Sequence, residues 1–293
     1  MPIPETEIMV VAPTPTPFTD AGNVDLDAMA RNVERWLRSP LSGFVLGTAN
    51  GEENALSDDE KIAIVRTVSD ARNGERMVIA GVDSASSAEV NSLSEQYSAA
   101  GADLIRVRIP RGLTPDEVRV FYAEVTSGSP LPVIVIHQTF GIGPGAPPEV
   151  IGEVCGLDNV FGYITDHDIR FEGWVRAAVS PERNFWICNG GLLAYGALMG
   201  ANGACMWLGN LAPVLCTDIM AAGHAGDFAQ ARRLQSTASM LDRRIGEFGL
   251  RGVKAALSLL GYEMTGPRTP AASATPEEAE QVAAALRDAG LIE

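Results

Sequence analysis

Eight short apolar segments, separated by stretches with helical periodicity, constrain the fold of this 293-residue chain more than any other feature. Such segments are typical of strands buried on both faces of a parallel sheet. Eight successive βα units close most simply into an α/β fold of the (β/α)8, or TIM-barrel, type, for which about 250 residues is usual. The predicted strands are 8–14, 43–47, 77–82, 103–109, 131–137, 159–165, 184–188 and 203–208.

Two of the intervening helices carry recognisable start signals. Ser57–Glu60 and Thr114–Glu117 fit the capping box, in which a hydroxyl accepts from a free amide and a glutamate reaches back. Pro115 follows at the first helical position, where its missing N–H costs nothing. These signals support helices between the strands.

About 70 residues follow the last predicted strand, with helices expected at 210–223, 227–247 and 251–261 and a final one opened by Thr275–Glu278. The first of these completes the barrel. We therefore expect a barrel at 1–224 and a C-terminal helical extension at 225–293, in one structural unit. An open doubly wound sheet is the alternative, but no GxGxxG motif opens the first helix.

Composition argues against two classes of protein. The formal net charge of −15 leaves no basic face for phosphates, so we expect no nucleic-acid binding. Residues 189–216 carry no charge, but glycines, asparagines and Pro213 interrupt them, so we predict no membrane span. Without a secretory signal or a CxxC pair, the four cysteines indicate a cytoplasmic protein with reduced thiols. Cys188 as a thiol nucleophile is an alternative to simple burial.

In a barrel, chemistry belongs at the carboxyl ends of the strands, because the βα loops converge there. The polar residues at these positions are Thr14, Asn50, Glu52, Asp83, Arg106, Arg108, His137, Gln138, Asp166, His167, Cys188, Asn189 and Asn210.

Six segments between Ile8 and the C-terminus carry motifs in a characteristic order. They are PTPFTDAGNVDLDAM, GFVLGTANGEENALSDDEK, SAAGADLIRVRIP, LPVIVIH, NGGLLAYGALMGANGACMWLGNLAP and GVKAALSLLGYEMTGPRTP. Together they resemble the dihydrodipicolinate synthase / N-acetylneuraminate lyase family. The resemblance implies a TIM barrel, a homotetramer or homodimer, and lyase or aldolase chemistry on 2-oxo acids. It further implies an imine between pyruvate and a lysine on the sixth strand, assisted by a tyrosine on the fifth.

The chemical residues depart from that pattern. Ile164, or Thr165 if the strand shifts by one, stands where the family has its lysine, and His137 replaces the tyrosine. Residues 111–113 (RGL) replace the paired tyrosines, and 141–148 (GIGPGAPP) contain no carboxylate-binding arginine.

Only two lysines occur in the chain. Lys61 follows the capping box of the second predicted helix, and Lys254 matches a structural lysine of the family's C-terminal helices. Because an imine needs an amine nucleophile, we predict that the Schiff-base route is closed.

Histidine and aspartate stand where the reactive groups of the family are missing. His137 and His167 can exchange protons near neutral pH, and Asp166 or Asp168 could hold a tautomer or act as a base. We predict these three as catalytic residues. Asp168 is expected to be the N-cap of the next helix.

Anion-binding groups are predicted on other strands. Thr48, Asn50 and Gly51 match the turn that holds the pyruvate carboxylate in the family, and Glu52 is expected to brace it. Asn189 follows the seventh strand.

Arg106 and Arg108 share one face of the fourth strand, where they pair either with an anionic ligand or with Asp83 or Glu52. Both alternatives stay open.

The predicted function is a lyase- or aldolase-type enzyme acting on a small carboxylated substrate by histidine acid–base chemistry. An inactive ligand-binding or regulatory homologue is the first alternative. A metal-dependent lyase, in which two imidazoles and a carboxylate bind Zn²⁺ or Fe²⁺, is the second. We predict no cofactor, and the metal question stays open.

Overall fold

The computed structural model describes residues 8–137 and 145–293. Its strands form one closed parallel barrel, in which each pairs with the next and the eighth pairs with the first. This confirms the predicted (β/α)8 barrel. The strands are β1 (Met9–Pro13), β2 (Gly43–Leu46), β3 (Met77–Val82), β4 (Leu104–Arg108), β5 (Val133–Ile136), β6 (Val160–Ile164), β7 (Asn184–Ile187) and β8 (Gly203–Cys205).

Helices alternate with the strands and continue beyond them. Those of the barrel are α1 (Leu26–Trp36), α2 (Asp58–Ala71), α3 (Ser87–Ala99), α4 (Pro115–Gly128), α5 (Pro148–Cys155), α6 (Ile169–Ala178), α7 (Leu193–Leu198) and α8 (Pro213–His224). The C-terminal helices are α9 (Phe228–Gly246), α10 (Gly249–Leu259) and α11 (Pro276–Asp288). The predicted division at residue 224 falls between α8 and α9, and the division itself stays a prediction.

The local signals read from the sequence are present in the structure. All three capping boxes form, with Ser57, Thr114 and Thr275 as N-caps. The eighth strand is shorter than the predicted 203–208, because residues 207–210 turn into a 3₁₀ helix. Asn210 stabilises that turn by donating from Nδ2 to the carbonyls of Pro13 and Trp207.

The barrel has two separate apolar layers. The larger layer packs the outer strand faces against the helices. The smaller one fills the barrel and takes at least one residue from every strand: Met9, Val11, Val45, Ile79, Leu104, Ile134, Ile136, Ile164, Trp186 and Cys205. Inward-facing residues therefore alternate with helix-facing ones along each strand.

No helix among residues 8–137 and 145–293 combines the length and the apolar character that crossing a bilayer requires.

Candidate active site

Two histidines meet where β5 and β6 end. His137 directly follows β5, and His167 lies three residues beyond β6. Strand register aligns Ile136 with Ile164, which brings the two strand ends side by side. The imidazole centroids lie 5.3 Å apart, with ring planes at 69°. Phe171, in the first turn of α6, lies 5.2 Å from the His137 ring and 4.9 Å from the His167 ring.

His137 is fully buried and has a defined tautomer. Its Nε2 accepts a hydrogen bond from the Gly145 N–H at 3.0 Å, so Nε2 carries no proton in the neutral ring. Burial, with a smaller contribution from His167, lowers the pKa of His137 to about 4. The proton of the neutral ring is therefore on Nδ1. Within the described residues this buried N–H has no hydrogen-bond partner.

His167 is oriented by the residue that follows it. Its Nδ1 lies 2.9 Å from Oδ2 of Asp168, so Nε2 is the ring nitrogen that this contact does not use. Oδ1 of Asp168 accepts from the backbone N–H groups of Arg170 and Phe171, so the predicted N-cap of α6 is confirmed. The hydrogen bond from Phe171 is the largest cause of the lowered pKa of Asp168. The bond to His167 agrees with the expectation that Asp166 or Asp168 holds a histidine tautomer.

Glu172 supports the loop that carries Asp166 and His167. Its buried Oε1 accepts the N–H groups of both residues, at 2.9 and 2.8 Å, and Oε2 accepts the Tyr163 hydroxyl at 3.0 Å. Burial raises the pKa of Glu172 to about 7. Glu172 was not among the predicted site residues. The feature of the sequence that indicates it is a glutamate on the same helix face as the core residues Phe171 and Val175.

Asp166 has the same strand parity as Ile164, which faces the barrel interior. It is half-buried, and its charge adds to burial in raising the pKa values of the Cys188 and Cys205 thiols. Asp166 therefore lies on the cavity side of the β6 end, whereas His137 and His167 lie at its rim against α6.

A compact cluster of charges lies on β4 and the neighbouring strand ends. Arg106 and Arg108 share the parity of inward-facing Leu104. The Asp83 carboxylate lies 3.1 Å from Nη1 of Arg106 and 3.3 Å from Nη2 of Arg108. Glu53 lies farther away, at 3.6 Å from Arg106 and 3.7 Å from Arg108.

This cluster corrects part of the expected ion pairing. Asp83 is a partner as predicted, but the second carboxylate belongs to Glu53 and not to Glu52. Glu52 has a left-handed backbone, with φ of 65°, which turns its side chain toward the C-terminal helices. The adjacent Glu53 then faces the arginines. The sequence offers two adjacent candidates, Glu52 and Glu53, and only Glu52 was predicted as a possible partner of the arginines.

The pKa values of the two carboxyl groups in the cluster, Glu53 and Asp83, are shifted in opposite directions. Burial, followed by the neighbouring Asp83 carboxyl, raises the pKa of Glu53 to about 7. Burial opposes the ionisation of Asp83 as well, but Arg106 and Arg108 outweigh it and the pKa of Asp83 lies below its usual value. Asp83 is thus the ionised member of the pair, and Glu53 is the one that titrates near neutral pH.

The turn after β2 offers fewer donors than the sequence suggests. The Gly51 N–H donates to the Thr48 carbonyl within a 3₁₀ turn of residues 49–51, so this amide is committed. Asn50 lies half-buried in the same turn. The Thr48 hydroxyl is buried and has no partner within the described residues. Glu52 braces the turn as expected, because its carboxylate accepts from Lys254 Nζ at 2.5 Å and from the Arg268 N–H at 2.8 Å.

The remaining predicted residues are placed apart from the histidines or outside the structure. Asn189 is exposed, and its Oδ1 caps a short turn by accepting from Gly191 N. The Cys188 thiol is desolvated, which raises its pKa well above the usual value and disfavours the thiolate form that a nucleophile requires. Gln138 lies outside the described residues, as do residues 141–144 of the GIGPGAPP segment.

Neither lysine lies on β6. Ile164, and not Thr165, takes the inward position, since the Thr165 hydroxyl accepts from Cys188 N instead. Lys254 is buried against Glu52, and Lys61 on α2 lies 3.2 Å from Asp58.

Metal-binding donors do not converge in the described part of the chain, where no three His, Cys, Asp or Glu side chains are arranged to hold an ion.

Comparison with known proteins decides the family. Residues 7–289 match the model of the Dihydrodipicolinate synthetase family. The chain belongs to this family. It is 30% identical to a 4-hydroxy-tetrahydrodipicolinate synthase of Rhizobium meliloti (strain 1021), over 94% of this chain and 96% of that protein. It is also 30% identical to an uncharacterised DapA-like lyase of Halobacterium salinarum, over 97% and 94% of the two chains.

Solved structures of dihydrodipicolinate synthases share the fold. The chloride-inhibited enzyme from Acinetobacter baumannii, complexed with pyruvate, superimposes with a TM-score of 0.90 at 23% identity, covering 98% of this chain and 100% of that one. The family is thus one of synthases and lyases built on a TIM barrel.

Proposed function

We propose that the protein is a lyase- or aldolase-type enzyme acting on a small, carboxylated 2-oxo acid without forming an imine. The observation that carries the proposal is the His137–His167 pair, 5.3 Å between ring centroids, beside an inward-facing Ile164 on β6. The resemblance places the family tyrosine and lysine at these strand ends. Here Ile164 takes the lysine position, and the histidines His137 and His167 are the proton-transfer groups nearby.

The two rings have complementary hydrogen-bonding states. His167 donates from Nδ1 to Asp168, so its Nε2 can remove a proton from the carbon or hydroxyl next to the substrate carbonyl. His137 is neutral, and its Nδ1–H, which has no hydrogen-bond partner within the described residues, can donate to the oxygen on which negative charge develops. Returning the proton from His167 to the product completes an addition, an elimination or a carbon–carbon cleavage. Asp166, on the cavity side, is the third catalytic candidate.

Anion recognition belongs to the opposite side of the barrel mouth. We infer that the Thr48 hydroxyl, with Asn50, receives the carboxylate next to the carbonyl, and that Arg106 and Arg108 add positive charge. Gly51 is a weaker candidate, because its N–H already donates to the Thr48 carbonyl. Pyruvate in the Acinetobacter structure is a ligand of this kind. Asn189 stays a weaker candidate for binding substrate, because its side chain already caps a turn.

The absence of an imine is tested by mixing the protein with pyruvate, adding borohydride and recording the intact mass, with a metal analysis of the same sample. We expect an unchanged mass. A pyruvyl adduct would overturn the mechanism, and peptide mapping would then assign it to Lys61, Lys254 or the terminal amine. Stoichiometric zinc or iron would favour the metal-dependent alternative.

The role of the histidines is tested with variants once a 2-oxo acid substrate is found by screening. His137→Gln and His167→Gln should each lower kcat by about 10²- to 10⁴-fold while the fold is retained. His224→Gln is the matched control, because Nε2 of His224, at the end of α8, donates to the Ala201 carbonyl and His224 is not a candidate site residue. Full activity of either active-site variant would refute the proposal.

The rival function is an inactive homologue that binds a ligand. Equal ligand binding by the wild type and both histidine variants, with no turnover by any of them, would favour it. We further propose a cytoplasmic homodimer or homotetramer, which sedimentation at micromolar concentration would test.

A further inference from the structure

The Arg106–Arg108 cluster contains one carboxyl group, Asp83, that is hydrogen-bonded to a guanidinium group, and a second, Glu53, whose hydrogen bond is with Asp83. Asp83 approaches both guanidinium groups within hydrogen-bonding distance, at 3.1 and 3.3 Å. The Glu53 distances of 3.6 and 3.7 Å are too long for hydrogen bonds. Its Oε2 is buried and has no hydrogen-bond partner within the described residues.

The arginines themselves keep unused donors. The Nε atoms of Arg106 and Arg108 are buried and lack partners within the described residues. The Arg106 side chain is only 2% exposed, whereas that of Arg108 is 18% exposed. Arg106 is therefore enclosed by protein, and Arg108 is the more accessible of the two. Gly81 makes room for this arrangement, because a Cβ there would lie 2.7 Å from Nη2 of Arg106 and 2.9 Å from Thr48 Cγ2. The arginine cluster thus lies close to the Thr48 side chain, whose hydroxyl has no partner within the described residues.

We propose that Glu53 occupies the place of a second substrate carboxylate on Arg106 and Arg108, so that the enzyme selects dicarboxylic 2-oxo acids and releases Glu53 as a neutral acid when such a ligand binds. The inference rests on the proposed function in one respect, namely that the first carboxylate binds at the Thr48 turn. A planar guanidinium group favours a carboxylate that meets it edge-on at hydrogen-bonding distance, which Glu53 does not.

Charge balance agrees with this exchange. Two guanidinium groups against ionised Asp83 and ionised Glu53 make a neutral cluster. When Glu53 is protonated the cluster carries one positive charge, and a ligand carboxylate neutralises it. The pKa of about 7 places this change in the physiological range.

Room for the displaced side chain exists beside it. A cavity of about 80 Å³ adjoins Glu53, between the strand ends and helices α2 and α3. The other titratable residues that line this cavity are Asp58, Lys61, Asp83, Glu89 and Tyr97. Three of the five are carboxylic acids, so the cavity receives a neutral Glu53 more readily than an ionised one.

The test is titration calorimetry of the intact protein with pyruvate, oxaloacetate and 2-oxoglutarate, in pairs of buffers of different ionisation enthalpy, at pH 6 and pH 8. We expect at least one dicarboxylate to bind more tightly than pyruvate at pH 6. Its Kd should rise about tenfold by pH 8, where most Glu53 is ionised and holds the site. Binding should take up close to one proton at pH 8 and close to none at pH 6.

Two variants identify the residues responsible, and a third is the control. Glu53→Gln should remove both the pH dependence and the proton uptake, since its side chain stays neutral. Arg108→Gln should weaken dicarboxylate binding about ten- to hundredfold and pyruvate binding clearly less, because pyruvate loses only the nearby positive charge and no direct contact. Glu75→Gln, at an exposed position in the loop before β3, is the matched control and should behave as the wild type.

Equal affinity for pyruvate and both dicarboxylates in the wild type would overturn the inference. So would an unchanged pH dependence in Glu53→Gln, or equal weakening of pyruvate and dicarboxylates in Arg108→Gln. The measurement needs no turnover, so its failure is distinguishable from failure of the histidine mechanism, which the kcat of the histidine variants tests separately.

Discussion

Lys254 of α10 and Glu52 of the turn after β2 form a buried ion pair, 2.5 Å from Nζ to Oε1, across 202 residues of sequence. Lys254 also donates to the Gly266 carbonyl and lies 4.5 Å from the centroid of the Phe18 ring. The C-terminal helices thereby hold the turn that carries Thr48. One of the two lysines in the chain is thus committed to structure.

Removing this lysine should destabilise the fold. We expect Lys254→Met to lower the free energy of unfolding by about 3–5 kcal/mol, because it leaves the Glu52 charge buried without its cation. Lys61→Met removes the other lysine from a more exposed pair with Asp58 and should cost at most about 1 kcal/mol. Urea unfolding of the two variants makes the comparison. Equal losses would contradict the assigned role, and adding Glu52→Gln to Lys254→Met should recover part of the loss.

Glu172 should make stability depend on pH in an unusual direction for a carboxyl group. Its pKa is raised in the folded state to about 7, so the folded protein binds more protons than the unfolded chain between about pH 4.5 and 7. Stability from this group is present below that window and is lost as the pH rises through it. Relative to Glu172→Gln, the wild type should lose on the order of 1–3 kcal/mol between pH 4.5 and 8. Parallel pH curves for the two proteins would rule this out.

His137 should act in the opposite direction. Its folded pKa of about 4 lies below the usual value for histidine, so the unfolded chain binds the proton more tightly. Stability from His137 is present above about pH 6.5 and is lost as the pH falls toward 4. The contributions of His137 and Glu172 to stability change in opposite directions with pH and partly cancel in the wild type. Each contribution is therefore measured by comparing His137→Gln or Glu172→Gln with the wild type. An NMR titration placing the His137 pKa near 6.5 would refute the buried, neutral ring.

The cysteines should be slow to react. Burial raises the pKa values of Cys155 and Cys205 to about 12, and those of Cys188 and Cys216 are raised as well. We expect negligible modification of the native protein by iodoacetamide at pH 8 and full modification after unfolding. Cys188→Ser should keep its activity, and rapid inactivation by iodoacetamide protected by substrate would argue otherwise.

Much of the fold could be predicted from the sequence because its determinants are local. Apolar runs of four to seven residues define buried strands, and the Ser57, Thr114 and Thr275 capping boxes satisfy the first amides of their helices within four residues of sequence. The same holds for Asp168, whose N-cap role follows from its position. Strand ends were less accurate, as at β8, where Asn210 draws the chain into a turn through contacts with Pro13.

The candidate site could be predicted only as a set of residue types at strand ends. Sequence determined that no lysine stands on β6 and that His137 and His167 follow adjacent strands. Only the tertiary structure decided that their rings meet, that Asp168 orients His167, and that Glu53 rather than Glu52 faces the arginines. The physical reason is that a side chain's direction depends on a backbone angle, such as the positive φ of Glu52, and on strand register. Charged groups such as Arg106 and Asp83 lie on or directly after different strands and meet only in the folded chain. The pKa values and the chemistry of such groups therefore depend on the tertiary structure.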